Sequence, residues 1–289
     1  MSVIKVTELR KSFFSDFLRK ETEVLKGVSF EIKKGGITGF LGGNGAGKTT
    51  TMKCLLDLSF PTSGRVEYFD GLALSPEVKK RIGFLPEHPY FYDYLTGIEF
   101  LEFYGQLSSK MPKVQMREKI EGLLKRVDLW HAKDRKLRGF SKGMKQKIGL
   151  AQALIHDPEL VILDEPMSGL DPDGRQAMSE IIQEIAKKGT SVFFSSHLLH
   201  DVERLCDDLV ILAKGEVVYQ GTTHQFLDRV QQGYSMVYEM SGERKTVTLD
   251  TVELVQTEMK RVSQEGAIIL EMKPARMSLE EAFVEIALR

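Results

Sequence analysis

Short β-rich runs bounded by turn residues open the chain: Val3-Ile4-Lys5-Val6, Val28-Ser29-Phe30-Glu31-Ile32 and Ile37-Thr38-Gly39-Phe40-Leu41. The third leads directly into a glycine-rich loop. After that loop the pattern from Thr49 to Leu58 predicts a helix, stopped by Phe60-Pro61-Thr62-Ser63-Gly64. Further on lie three apolar runs, Leu160-Val161-Ile162-Leu163, Ser191-Val192-Phe193-Phe194 and Leu209-Val210-Ile211-Leu212, with a helical pattern over Gln176 to Lys188 between the first two. Strands alternating with helices predict an α/β unit around a largely parallel sheet.

Two stretches break that rhythm. From about Tyr94 to Leu154 the chain is rich in Lys, Leu, Glu and Met at helical spacing, which predicts a helical insertion. Between Lys110 and Lys147 it holds thirteen Lys and Arg against four Asp and Glu. This local excess fits a solvated helical face or a docking surface. Beyond Gly221, Tyr234 to Glu239 and Lys245 to Leu249 read as strands, Thr251 to Gln264 as a helix, and Ser278 to Ala287 as a closing helix with Glu281 three residues after its cap. The expected organisation is therefore a main unit over 1–221 and a small α+β appendage over 222–289.

The 289 residues carry 40 Lys and Arg against 41 Asp and Glu, and 42% are hydrophobic. That composition excludes collagen-like, fibrous and disordered chains, and the near-zero net charge removes bulk electrostatic coating of nucleic acid. Cys54 and Cys206 stand far apart with no CxxC partner, so neither a disulfide framework nor a thiolate zinc site is expected. No stretch approaches the roughly 18–20 apolar residues that span a bilayer, which points to a cytoplasmic protein. Any membrane-spanning work is expected of another polypeptide.

Gly42-Gly43-Asn44-Gly45-Ala46-Gly47-Lys48-Thr49 fits GxxxxGK[ST] between a predicted strand and a predicted helix. Glycines without Cβ atoms let successive N–H groups converge on phosphate oxygens and the helix N-terminus adds its dipole. Lys48 reaches the β- and γ-phosphates, and the Thr49 hydroxyl suits Mg²⁺. Downstream, the apolar strand Leu160 to Leu163 ends in Asp164-Glu165. There Asp164 is placed to hold Mg²⁺ and Glu165 to orient or deprotonate an attacking water, so hydrolysis of a nucleoside triphosphate is the leading reading. Ser141, in Phe140-Ser141-Lys142-Gly143-Met144, is a candidate N-cap for a helix running to about Ile155 and makes a second anion-binding helix end.

These motifs in this order, from about Leu9 to Gly221, resemble an ATP-binding cassette (ABC) ATPase. Phe140 to Met144 stands where that family's LSGGQ signature lies, Ser168-Gly169-Leu170-Asp171 is similar to its D-loop, and His197 in Phe194-Ser195-Ser196-His197 is similar to its switch histidine. The resemblance implies a P-loop, RecA-like core with a mostly parallel sheet, an N-terminal antiparallel β subdomain, the helical subdomain inserted at about 94–154 and the C-terminal appendage. It implies a head-to-tail dimer in which ATP on Gly42, Gly43, Asn44, Gly45, Ala46, Gly47, Lys48, Thr49 and Thr50 of one chain is closed over by Ser141, Gly143, Met144 and Asp171 of the other. His197 then hydrogen-bonds the γ-phosphate beside Glu165 and Lys48. Phe13, in Leu9-Arg10-Lys11-Ser12-Phe13, takes the place of the adenine-stacking aromatic, with Phe14 second.

Three positions depart from the family pattern. Gly43 stands where Pro is frequent, Lys142 and Met144 replace small and amide residues of the signature, and Glu87 in Gly83-Phe84-Leu85-Pro86-Glu87 replaces a Gln that normally serves the Mg²⁺. Thr49, Asp164 and Glu87 are the expected metal set. Gly83 to Gly97, Phe140 to Lys147 and the tail Ser278 to Phe283 are most similar to ABC-2 type cassettes. These energise exporters, bind a separate transmembrane permease subunit and sit on the inner face of the cell membrane. A soluble ABC ATPase acting on nucleic acid or ribosomes, or a nucleotide-binding module without turnover, is the alternative. The first usually carries a long coiled coil or two cassettes, and the second is opposed by Lys48, Asp164, Glu165 and His197, so no nucleic-acid partner is expected.

Overall fold

The computed structural model describes all residues except 16–19, 109–110, 230, 241 and 277–289. The chain divides into two compact units, Met1–Gln220 and Gly221–Arg289. The first begins with the long strands β1 (Ser2–Ser15) and β2 (Lys20–Lys33), followed by β3 (Ile37–Leu41), α1 (Lys48–Leu55), β4 (Ser63–Tyr68), α2 (Pro76–Lys79) and β5 (Ile82–Leu85). The inserted helices α3 (Gly97–Ser108), α4 (Lys113–Arg126) and α5 (Lys142–Leu154) come next. Then follow β6 (Leu160–Leu163), α6 (Pro172–Lys187), β7 (Ser191–Ser196), α7 (Leu199–Leu205), β8 (Asp208–Ala213) and β9 (Glu216–Thr222).

Among the described residues the main sheet has the order β5-β6-β7-β3-β8-β9, and β5 through β8 run parallel. Its inner strands read as continuous apolar runs because both faces are covered: every residue of β3, β6 and β7 is buried. The antiparallel sheet β2-β1-β4 packs on it through Phe30 of β2, which lies 5.6 Å from the Phe40 ring and 5.8 Å from Phe193. Both expected strands of this sheet are far longer than their alternating cores. Register shifts between Val6 and Leu9 and between Lys11 and Ser12 reset which face each residue occupies, so a period-two pattern breaks off although pairing continues. β4 was hidden in the sequence by the turn composition of Pro61-Thr62-Ser63-Gly64, and β5 by its length of four residues.

The insertion is helical as expected, with α3, α4 and α5 in mutual contact and α5 packed on β5. Gly83 makes that last contact possible: a Cβ there would lie 2.2 Å from the Ala153 carbonyl oxygen. In the second unit β10 (Gln231–Met240), β11 (Glu243–Leu249) and β12 (Ile268–Arg276) form an antiparallel sheet of order β11-β10-β12, preceded by α8 (Thr223–Arg229). The helix α9 (Val252–Gln264), capped by Thr251, packs on that sheet around Met236, Tyr238 and Val262. The closing helix expected over Ser278 to Ala287 lies outside the described residues. Among the described residues no helix is long and apolar enough to cross a membrane.

Because the close approach at Gly83 is to backbone, neither partner can rotate away. Gly83→Ala is expected to destabilise the chain by about 1–3 kcal/mol, read as a lower urea midpoint. An unchanged midpoint would mean that α5 does not cross β5 at this point.

Candidate functional site

β3 ends at Leu41, and the chain then turns into α1 through the glycine loop. Gly45 (φ 78°) and Gly47 (φ 109°) adopt left-handed backbone, Gly47 as the N-cap of α1. A Cβ on Gly42 would meet the Leu212 carbonyl oxygen at 2.6 Å and one on Gly47 would meet Leu25 at 2.7 Å, so packing beneath the loop demands these two glycines. At Gly43 and Gly45 a Cβ would meet nothing within 4 Å. The loop is thus closed on its inner side and bare on its outer side, the shape of a phosphate cradle. Lys48, only 7% exposed, donates from Nζ to the carbonyl of Gly42 at 2.7 Å and of Gly43 at 3.4 Å.

β6 delivers the acids to the same place. Asp164 and Glu165 are both buried, and the Asp164 N–H donates to the Leu85 carbonyl of β5 at 2.8 Å. Asp164 Oδ1 accepts from the Ser195 hydroxyl at 2.6 Å and from the Thr49 hydroxyl at 3.4 Å. The Glu165 N–H donates to Ser195 Oγ at 2.9 Å. Burial pushes the Asp164 carboxyl pKa up, the Ser195 and Thr49 hydroxyls oppose this, and the charges of Glu87 and Glu165 push it further up. Glu165 adopts φ 49°, a left-handed conformation that is costly for a residue with a Cβ and is held here by its surroundings. Its carboxylate joins two partners: Oε1 lies 3.3 Å from Lys48 Nζ and Oε2 lies 2.8 Å from His197 Nδ1.

A cleft of about 580 Å³ opens over these groups, lined by Val24, the loop from Gly43 to Thr50 apart from Ala46, Glu87, Glu165, Ser168 and His197. Gly42, Ala46 and Asp164 lie beneath its surface. Oxygen donors from Thr49, Asp164 and Glu87 suit a hard divalent cation. Among the described residues no three His, Cys, Asp or Glu side chains form a self-contained metal cage.

The remaining expected residues lie elsewhere. Ser141 caps α5 by accepting from the Met144 N–H at 3.2 Å, and neither it nor Gly143 or Met144 lines the cleft of its own chain. Asp171 caps α6 by accepting from the Gly174 N–H at 2.8 Å. Phe13 is 45% exposed on β1 with the Lys11 ammonium 4.8 Å from its ring centroid, and is not among the lining residues. Val24, Ser168, Ser195 and Gln146 join the expected site residues at or beside the cleft. Of these, Ser168 stands in the Ser168–Asp171 motif and Ser195 directly precedes Ser196-His197 at the end of β7, whereas Val24 and Gln146 carry no local signal. Gln146, 2% exposed on α5, donates from Nε2 to the Glu87 carbonyl at 3.4 Å and so joins the helical insertion to the loop beside the cleft.

The profile of the ABC transporter family matches residues 25–168 of this chain. An uncharacterized ABC transporter ATP-binding protein of Nostoc sp. is 40% identical over 98% of this chain and 89% of its own. The bacitracin transport ATP-binding protein BcrA of Bacillus licheniformis is 38% identical over 86% of this chain and 78% of its own. Among solved structures, cbiO1 of Clostridium perfringens, described as part of the ABC transporter complex cbiONQ, is 28% identical with a TM-score of 0.68, covering 79% of this chain and 94% of that one.

The buried Asp164 sets a pH dependence. The folded chain holds the Asp164 proton more tightly than the unfolded chain, whose ordinary carboxyl pKa is 3.8. Its contribution to stability therefore falls as pH rises from 3.8 through the raised folded value. Asp164→Asn keeps an acceptor for Ser195 and Thr49 without the charge. In urea unfolding at stepped pH without nucleotide, the stability of Asp164→Asn minus wild type is expected to grow through that window and then level off. A difference that shrinks with rising pH would reverse the assigned shift.

Proposed function

The chain belongs to the ABC transporter ATP-binding proteins, and from that premise we propose that it is the ATP-hydrolysing subunit of a membrane exporter. It works with a separate transmembrane subunit and a second cassette, on the cytoplasmic face of the membrane. The observation that carries the chemistry is the meeting of Lys48, Glu165 and His197 at one cleft beside the glycine loop. The kinship with BcrA, a bacitracin transport protein, supports the exporter assignment. The basic excess of the insertion does not favour nucleic acid, since seven of its Lys and Arg (Arg117, Lys119, Lys125, Arg126, Lys133, Lys145 and Lys147) are each ion-paired with an acid.

In this reading Lys48 and the N–H groups from Gly43 to Thr50 bind the phosphates. Glu165 orients the attacking water and accepts its proton, while His197 holds the γ-phosphate and, through Nδ1, the Glu165 carboxylate. Thr49 and Asp164, with Glu87 beside them, hold Mg²⁺, which supplies charge neutralisation at the phosphate oxygens. Ser141, Gly143, Met144 and Asp171, which lie away from their own chain's cleft, close over ATP bound by the second cassette. Phe13 offers its exposed ring to adenine. The nucleotide chemistry belongs to 1–221, and 222–289 is an accessory unit.

Glu165→Gln is expected to retain ATP binding, to slow turnover by about 10²–10⁴-fold, and to accumulate as a dimer with Mg-ATP on size exclusion. Near-normal turnover would remove Glu165 from the mechanism. Lys48→Ala is expected to lose nucleotide affinity in the monomer, whereas Ser141→Ala keeps it and loses turnover. Mixing the two variants should restore activity, because one kind of composite site then holds both intact residues. Equal binding defects in the two variants would contradict the head-to-tail arrangement.

A further inference from the structure

One stripe of α5 lies along the segment that leads from β5 to the cleft, and its close contacts recur at helical spacing. The Ala153 carbonyl oxygen lies 2.2 Å from the place of a Cβ on Gly83. At Gly149 a Cβ would meet Leu85 Cδ1 at 2.7 Å and Phe91 Cζ at 3.6 Å. Gln146 is the polar member of this stripe, and its Nε2 donates to the Glu87 carbonyl at 3.4 Å. The side chain is 2% exposed, and its Oε1 atom is buried with no hydrogen-bond partner. A buried amide oxygen without a donor opposes folding, and a methionine of nearly the same length would fill the position without one. Packing therefore gives no reason for an amide here. What an amide does that an apolar chain cannot is donate to Glu87.

Glu87 is a residue that needs holding. It lines the cleft, yet among the described residues its carboxylate makes no hydrogen bond, and its one ion-pair contact is with the exposed His88 at 3.8 Å. With no side-chain anchor, the place of the carboxylate is set by the backbone that carries it. On one side of that backbone the Leu85 carbonyl accepts from the Asp164 N–H at 2.8 Å, and Pro86 fixes its own φ. On the other side the bond from Gln146 holds the carbonyl of Glu87 itself. The short link Leu85-Pro86-Glu87 is thus tied at one end to the strand that delivers Asp164 and at the other to α5.

We propose that Gln146 is a positioning residue for Mg-ATP: its amide holds the Glu87 carbonyl and so aims the Glu87 carboxylate into the cleft. This rests on Glu87 standing with Thr49 and Asp164 at Mg²⁺. The donor that orders the cleft and the partnerless oxygen that opposes folding belong to one amide, so Mg²⁺ response and stability change with opposite sign when the amide is removed.

The test uses the full chain and the variants Gln146→Met, Glu87→Ala and the two combined. Gln146→Met is expected to raise the Mg²⁺ concentration for half-maximal ATPase about tenfold, as loss of a group that orients a metal-site residue does. It should leave the Kd for ATP in EDTA within about twofold, and unfold at the same or a higher temperature than wild type. The Mg²⁺ shifts of Gln146→Met and Glu87→Ala should be less than multiplicative in the double variant, since both act through one carboxylate. A wild-type Mg²⁺ requirement in Gln146→Met overturns the proposal, as do fully multiplicative shifts in the double variant. A lower Tm or a weaker Kd in EDTA also overturns it, because either marks an ordinary packing defect. Glu87→Ala separates the two levels. A wild-type Mg²⁺ requirement in that variant removes Glu87 from the metal set together with the proposal, whereas a raised requirement in Glu87→Ala and none in Gln146→Met removes only the proposal.

Discussion

The ion pair between Lys48 and Glu165 is the contact on which the rest of this site depends. Lys48 belongs to the first turn of α1 and Glu165 follows β6, so their 3.3 Å separation ties the phosphate cradle to the acidic edge of the sheet. Both side chains are nearly withdrawn from water. A buried ammonium without a counter-charge, or a buried carboxylate without one, is strongly unfavourable, and each residue removes the other's penalty. Neither gains much stability for the chain by this pairing. What it secures is position, because the ammonium is also bound to the Gly42 carbonyl and the carboxylate to His197. The ammonium is thus aimed and the carboxylate oriented within the protein itself.

That pair can form only because of strand order. β7 lies between β6 and β3, so the loops after β3, β6 and β7 open on the same edge with neighbouring spacings. Ser195 on β7 uses this arrangement: its hydroxyl donates to Asp164 and accepts from the Glu165 N–H, fixing both acids from the middle strand. The tilted cluster of Phe30, Phe40 and Phe193 packs the antiparallel sheet against the same strands from one face. Packing and chemistry thus share elements: β3, which holds Phe40, leads into the glycine loop, and β7, which holds Phe193, also carries Ser195.

The helical insertion reaches the site by another route. α5 crosses β5 at Gly83, its Gln146 side chain donates to the Glu87 carbonyl, and its capped N-terminus at Ser141 does not line the cleft of its own chain. One helix therefore connects the loop that carries Glu87 with the surface assigned to the second cassette.

Local pattern was enough for much of this protein. The bare glycine loop, the apolar runs of β6, β7 and β8, the acids after β6 and the caps of α5 and α9 are each specified by residues within a few positions of one another, where propensity, capping and periodicity operate. The long continuations of β1 and β2 escaped because bulges reset the alternation, and β4 because its first residues have turn composition. The roles of Ser195, Val24 and Gln146 join residues far apart in the chain. They exist only once strand order and helix crossing are set, and no local pattern encodes either. The sequence by itself determined where the glycine loop, the paired acids and the helix caps stand along the chain. Tertiary structure decided which of them meet, because a contact across a parallel sheet depends on the crossover between its strands and not on the residues beside it.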